Sequence, residues 1–164
     1  DEQERFPLEN RNRLAELGMM GICYPKEYGG SGHSYVAYIA AIEELARHCS
    51  TTAVMLSDHH SLGCFPIMEF GTEEQKRRFL PDLLSGRKLG AFAVTEPAAG
   101  SDLGHQQTTA VEQEDGWILN GSKIFITNGY YADTYFVTAV TDRTKGSRGI
   151  SGFIVEKGTP GFSF

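Results

Sequence analysis

Cysteine is scarce and badly placed for cross-linking. Cys23, Cys49 and Cys64 are odd in number and widely spaced, and no C-x-x-C pair occurs. That pattern excludes a disulfide scaffold and a thiolate zinc site, and fits free thiols in a reducing compartment. Positive charge is also short: 15 Lys and Arg stand against 21 Asp and Glu, a net charge of −6. Nucleic acid and anionic membrane surfaces are therefore poor partners. The one basic cluster, Lys76-Arg77-Arg78, falls on an expected helix and reads as a solvated face. No apolar run of membrane length and no recognisable signal peptide is present. P-loop, G-x-G-x-x-G and G-x-S-x-G motifs are all missing. His59 and His60 are adjacent, so on a helix their rings diverge by about 100°; with only Asp58 beside them they make no metal site.

What is present divides into two halves of different period, an α+β chain. Residues 1–87 read as a helical bundle domain and residues 88–164 as an incomplete antiparallel β-barrel domain. Helices are predicted over 8–17, with Gly18 as the stop, and over 35–47, where Val36, Ile39, Ile42, Leu45 and Ala46 form one stripe. Residues 51–70 are helical with a break or restart expected at Gly63 and Pro66. Thr72-Glu-Glu-Gln75 is a capping box, and Pro81 is expected to end or restart its helix. Gly29-Gly30-Ser31-Gly32 follows no strand and reads as a loop between helices. Strands are predicted at 89–94, 107–112, 117–119, 123–127, 134–140 and 151–155. Asp115-Gly116 marks a turn, and Asn120-Gly121 is the strongest hairpin signal.

Residues 95–102, TEPAAGSD, form a bare loop after the first strand. Pro97 fixes one backbone angle, and Ala98, Ala99 and Gly100 remove bulk. Backbone N–H groups there can meet a flat polar ligand, with hydroxyls from Thr95 and Ser101 on either side. A surface turn capped by Asp102 is the alternative. In a strand over 123–127, Phe125 and Thr127 would share one face. A ring and a hydroxyl so placed suit the edge of a flat heterocycle, with Ile124 and Ile126 turned into the core.

AFAVTEPAAGSD (91–102) followed by WILNGSKIFITNG (117–129) resembles the acyl-CoA dehydrogenase family of flavoproteins. The similarity runs the length of the chain, and GISGFIVEKGTPGF (149–162) is similar to the short-chain, butyryl-CoA branch. The resemblance implies an FAD site. Phe92, Val94 and Thr95 take flavin-contacting positions. Gly100 and Ser101 take loop positions at the cofactor and at the thioester–pantetheine arm of the substrate, so Ser101 is also a substrate contact. Phe125 matches the aromatic packed on the isoalloxazine, and Thr127 the hydroxyl near flavin N5. The implied reaction is α,β-dehydrogenation of a short-chain acyl-CoA, with electrons passed to an electron-transferring flavoprotein. A homotetramer and a cytoplasmic or mitochondrial-matrix setting are implied as well.

No carboxylate here matches the family's catalytic base, which the short-chain branch carries in a C-terminal helical domain. Both ends of the sequence look cut. The expectation is an inactive fragment that binds FAD weakly or not at all and whose open strand edges promote association. Rival readings are an acyl-CoA oxidase, nitroalkane oxidase or flavin-dependent hydroxylase on the same scaffold, or a non-catalytic acyl-CoA or protein-binding module. Tyr38, Met55 and Leu56 are candidates for an acyl-pocket wall, with core packing as the alternative.

Overall fold

Helix α1 spans Leu8–Glu16 and ends at Gly18, whose φ of 68° only glycine adopts freely. The computed structural model describes residues 5–164, so the first four residues of the expected helical half lie outside the described residues. Two single 3₁₀ turns, Met19–Gly21 and Lys26–Tyr28, lead to α2, Tyr35–His48, where the Ser34 hydroxyl accepts the Ala37 N–H. α3, Ser50–Asp58, passes through a π-helical turn, His59–Cys64, straight into α4, Phe65–Phe70. The predicted break is thus a widened turn rather than a gap. Pro66 stands in the first turn of α4, just past the widened turn. Gly63 is packed so closely that a Cβ there would lie 2.9 Å from the Gly90 backbone.

The capping box forms in full. The Thr72 N–H donates to Gln75 Oε1 at 2.9 Å and the Gln75 N–H to Thr72 Oγ1 at 3.2 Å. It starts α5, Glu73–Leu84, which does not stop at Pro81. Leu80, Leu83 and Leu84 are fully buried, and this tertiary burial outweighs the proline's local cost. Among the described residues no helix is long and apolar enough to cross a membrane.

The second half is a sheet of β1 (Gly90–Ala93), β2 (Thr109–Gln113), β3 (Gly116–Asn120), β4 (Thr134–Val140) and β5 (Ile150–Glu156). β4 is its centre. It runs parallel to β1 from Gly90↔Thr134 to Ala93↔Val137, meets β2 in parallel at Thr109↔Val140, and pairs antiparallel with all of β5. The sheet is open, and it is mixed where antiparallel pairing was expected. The connection from β1 to β4 is long enough to return the chain in the same direction, which a hairpin cannot do. The β2–β3 hairpin turns before Gly116, at the Asp115-Gly116 signal. Asn120-Gly121 closes β3 but starts no return strand.

Residues 121–127 form no strand, contrary to the expectation for 123–127. Phe125 and Asn128 take φ of 56° and 62°, a left-handed geometry that breaks the two-residue alternation. β1 is held between β4 and the π turn. Ala91 and Ala93 pack in one apolar cluster with Tyr135 and Val137, while Phe92 stacks on Phe136 on the opposite face, ring centroids 5.8 Å apart.

Candidate functional site

The chain leaves β1 directly into the bare loop. Glu96 and Ala99 exchange main-chain hydrogen bonds of 2.8 and 3.1 Å, folding Pro97 and Ala98 into a tight turn. Ala99 is buried, while Pro97, Ala98, Gly100 and Ser101 are exposed. A Cβ built on Gly100 would meet nothing within 4 Å. Among the described residues the N–H groups of Ala98, Gly100 and Ser101 have no hydrogen-bond partner. The loop therefore combines free donors with open space.

The structure lays residues 123–127 beside this exit. The Ile124 N–H donates to the Thr95 carbonyl at 2.9 Å, and Lys123 Nζ to the Val94 carbonyl at 3.0 Å. Val94 and Thr95 are thus brought against the segment that carries Phe125 and Thr127. Phe125 is 89% exposed, its ring held out into solvent by the left-handed backbone. Such a φ is rare and costly for a bulky residue, of order 1–3 kcal/mol, and persists only where surroundings impose it. Ile126 turns in against the Ala91–Tyr135 cluster. Thr127 is half-buried and lines a cleft of about 340 Å³ with Phe6, Thr51, Val54 and Met55. Phe125 and Thr127 do not share a face by strand alternation; Phe125 is itself left-handed, and so is Asn128 just after Thr127.

The other sequence candidates divide. Phe92 stacks its ring on Phe136 and is half-buried, and its main chain lies on the outer edge of β1. Tyr38 and Leu56 are core residues: Leu56 is fully buried and the Tyr38 ring stacks on His60 at 4.2 Å. Met55 alone of the three touches the cleft.

Sequence reasoning missed what holds the site in place. Lys123 Nζ donates to Glu96 Oε1 at 2.8 Å and to Gln106 Oε1 at 2.9 Å. The Glu96 carboxylate also accepts the Gln107 and Thr108 N–H groups, at 2.6 and 3.0 Å. Burial pushes this carboxyl up, but the Lys123 ammonium and the two N–H groups outweigh burial and hold it at about 2. Burial lowers the Lys123 ammonium, against the pull of Glu96. The only signal in the sequence was Glu96 itself, a carboxylate amid small residues. Its partner lies 27 positions on, with nothing local to mark it.

Asn128 fastens the segment at its other end. Its Nδ2 donates to the Met55 carbonyl at 3.1 Å and to Asp58 Oδ2 at 3.2 Å. Burial raises the Asp58 carboxyl to about 7, with the Asn128 hydrogen bond acting the other way. His59 Nδ1 accepts the Gly90 N–H at 2.9 Å, so Nε2 carries the ring proton and faces Cys64 Sγ at 3.5 Å. Both His rings are thereby consumed in packing. Among the described residues no group of three His, Cys, Asp or Glu is placed to hold a metal ion.

The loop and residues 123–125 present an exposed ring, free N–H donors and the Thr95 and Ser101 hydroxyls, while the Thr127 hydroxyl lies on the neighbouring cleft. Glu96 is engaged by Lys123 and two N–H groups, and Asp102 is paired with His105 at 2.6 Å.

Comparison with known proteins gives the family of the chain. The model of the acyl-CoA dehydrogenase N-terminal domain matches residues 1–87, and that of the acyl-CoA dehydrogenase middle domain matches residues 91–164. The short-chain-specific acyl-CoA dehydrogenase of Clostridium acetobutylicum is 56% identical over 163 residues, covering 99% of this chain and 43% of that protein. A chain in the structure of the electron-transferring flavoprotein of Acidaminococcus fermentans, solved toward a mechanism of flavin-based electron bifurcation, superposes with a TM-score of 0.97 at 51% identity. It covers 100% of this chain and 43% of its own. An acyl-CoA dehydrogenase from Bacillus anthracis complexed with FAD superposes at 0.87 with 38% identity, covering 99% and 28%. The chain thus spans less than half the length of these relatives, and the α+β fold, a helical part followed by an open mixed sheet, is theirs. It belongs to the acyl-CoA dehydrogenase family.

Proposed function

We propose that this chain forms the flavin-facing part of a short-chain acyl-CoA dehydrogenase, with a helical unit at 1–87 and a sheet unit at 88–164. FAD, when bound, supplies the two-electron acceptor for α,β-dehydrogenation of a butyryl-CoA-like thioester. The observation that carries this reading is Phe125, an exposed aromatic in a strained conformation beside a loop with three unpaired N–H groups. A flat aromatic ring system is the ligand that such a surface suits, by stacking and edge hydrogen bonds.

Val94, Thr95, Gly100 and Ser101 offer main chain and hydroxyls to the ligand edge, Phe92 its main chain, Phe125 its ring, and Thr127 its hydroxyl. Ser101 also meets the acyl-CoA arm. None of these residues abstracts the substrate α-proton. A general base needs a pKa near the working pH and must reach the substrate; Glu96 sits near 2, and Asp58, though raised to about 7, is buried against Asn128. On this reading the chain alone is inactive, and the base comes from elsewhere in the whole protein. That protein passes its electrons to an electron-transferring flavoprotein, assembles as a homotetramer and works in the cytoplasm or the mitochondrial matrix.

The test is FAD titration of the protein expressed from the complete reading frame that carries this sequence, followed by flavin fluorescence. Saturable binding that weakens at least tenfold in Phe125→Ala and Thr127→Ala supports the reading. No binding, or binding indifferent to both changes, overturns it. Turnover of butyryl-CoA with a dye acceptor by the 164-residue chain would overturn the claim that the chain lacks a base.

A further inference from the structure

Between the loop and residues 121–127 there is no strand ladder. The one main-chain hydrogen bond joining them is Ile124 N–H to Thr95 O. A single such bond leaves register weakly set. What else joins them is a buried polar cluster. Lys123 and Glu96 have side chains only 9% and 3% exposed. Lys123 Nζ lies within 3.4 Å of four acceptors: Val94 O, Glu96 Oε1, Gln106 Oε1 and Thr138 Oγ1. Gln106 Oε1 in turn accepts the Thr138 hydroxyl at 2.7 Å. One ammonium thus ties β1's exit, the start of β2, the middle of β4 and residue 123 to one point.

A buried ion pair is a poor way to add stability. Desolvating two charges costs about as much as their attraction returns, and apolar residues of equal volume often do as well or better. What apolar residues cannot do is fix direction. Lys123 points its protons at the Val94 carbonyl, one residue before Thr95, and Phe125 follows two residues later in its left-handed turn.

We propose that Lys123 and Glu96 are positioning residues for the flavin site: their buried pair sets the register between Val94–Thr95 and Phe125–Thr127. The inference rests on the flavin reading above. The pair acts through the main chain and touches no ligand. Its contribution lies in holding Phe125 at the angle from which its ring can stack while Thr95 keeps its edge contacts.

The test again uses protein from the complete reading frame, with FAD affinity and thermal midpoint measured in parallel on Lys123→Met, Glu96→Gln and the double variant E96Q/K123M. Each single change unbalances a buried group and should lower the midpoint. The double change removes both charges while the amide oxygen at position 96 still accepts main-chain N–H from residues 107 and 108, and it should recover the midpoint to within a few degrees of wild type. FAD affinity should not recover: the double variant is expected to bind at least tenfold more weakly than wild type, with an altered visible circular dichroism of the bound flavin. Wild-type affinity and spectrum in a folded double variant would overturn the proposal, leaving the pair a structural element only. Should the double variant fail to fold, Glu96→Gln decides, since it keeps volume and one acceptor oxygen. An FAD affinity within twofold of wild type in that variant overturns the proposal, and a loss of threefold or more supports it. Failure of the wild-type protein to bind FAD is a different result, and removes the flavin reading itself.

Discussion

Helix α2 and the run α3–π turn–α4 invert what their sequences suggest. α2 has the cleanest apolar period in the chain, yet Val36 is 78% exposed and Tyr38 is its only buried residue. The run from Ser50 to Phe70 is interrupted by Gly63 and Pro66 and carries two histidines and an aspartate, yet it makes the core. Met55, Leu56, His59, His60, Cys64 and Ile67 are all buried in it. Period reports which side of a helix is apolar. It does not report what covers that side. The π turn shows the converse: an irregular stretch is retained where backbone must meet backbone, here Gly63 against Gly90.

The comparison breaks most sharply at Leu56. It is fully buried between α1, α2 and the start of β1. Leu56→Ala should cost about 2–5 kcal/mol, the range for a methyl-lined void that cannot collapse. Urea denaturation checks it, and a loss below about 1 kcal/mol would mean the interrupted run is not the core.

Acid should come next in size. Burial lowers His59 to about 3, with the neighbouring His60 adding to it, and burial lowers His60 to about 4. Unfolded, both take up protons near pH 6.5. The unfolded state therefore binds more protons than the native state between about pH 6.5 and 4, and stability falls as the pH falls through that window. Asp58 works the other way. Its native carboxyl stays protonated up to about 7, so its contribution is complete below its unfolded value near 3.9 and is lost as pH rises through 7. Around the imidazoles lie Cys64, Cys23, Tyr24 and Tyr38, whose burial keeps them uncharged in this range. Two histidines against one aspartate leave a net difference of about one proton, or about 1.4 kcal/mol per pH unit. Asp58→Asn keeps an oxygen for Asn128 and removes the opposing group, so denaturation midpoints should fall about twice as steeply from pH 6.5 to 4. An unchanged slope would show that Asp58 is ionised in the folded protein.

How much of this was legible depended on range in the chain. The Thr72–Gln75 box, the Gly18 stop, β4 and the bare turn at 97–100 are written in neighbouring residues, and each stands where the sequence puts it. Pro81 misleads because the leucines that carry α5 past it gain their energy from other elements. Residues 123–127 mislead more deeply. KIFIT reads as a strand by composition, and only the bonds from Lys123 to Val94 and Glu96, and from Asn128 to Asp58, impose the left-handed turn instead. Those partners lie 27 to 70 positions away, beyond any local pattern. The residues proposed for the flavin follow from motif likeness, whereas the network beneath them joins residues that meet only in the folded chain.

The smallest expected effect sharpens the comparison most. In the 164-residue chain, Val36→Thr and Ile39→Thr together should change stability by no more than about 0.5 kcal/mol, as for exposed sites without special contacts. Threonine keeps the β-branch, so helix propensity scarcely moves, and the change reads burial alone. The same pair of substitutions in protein from the complete reading frame gives the decisive contrast. A loss there of 1 kcal/mol or more, against none in the short chain, would mean that the stripe of α2 is a core face whose other half lies outside these residues. Equal, small effects in both would mean that α2 keeps an apolar face in water, and that its period reflects helix formation alone.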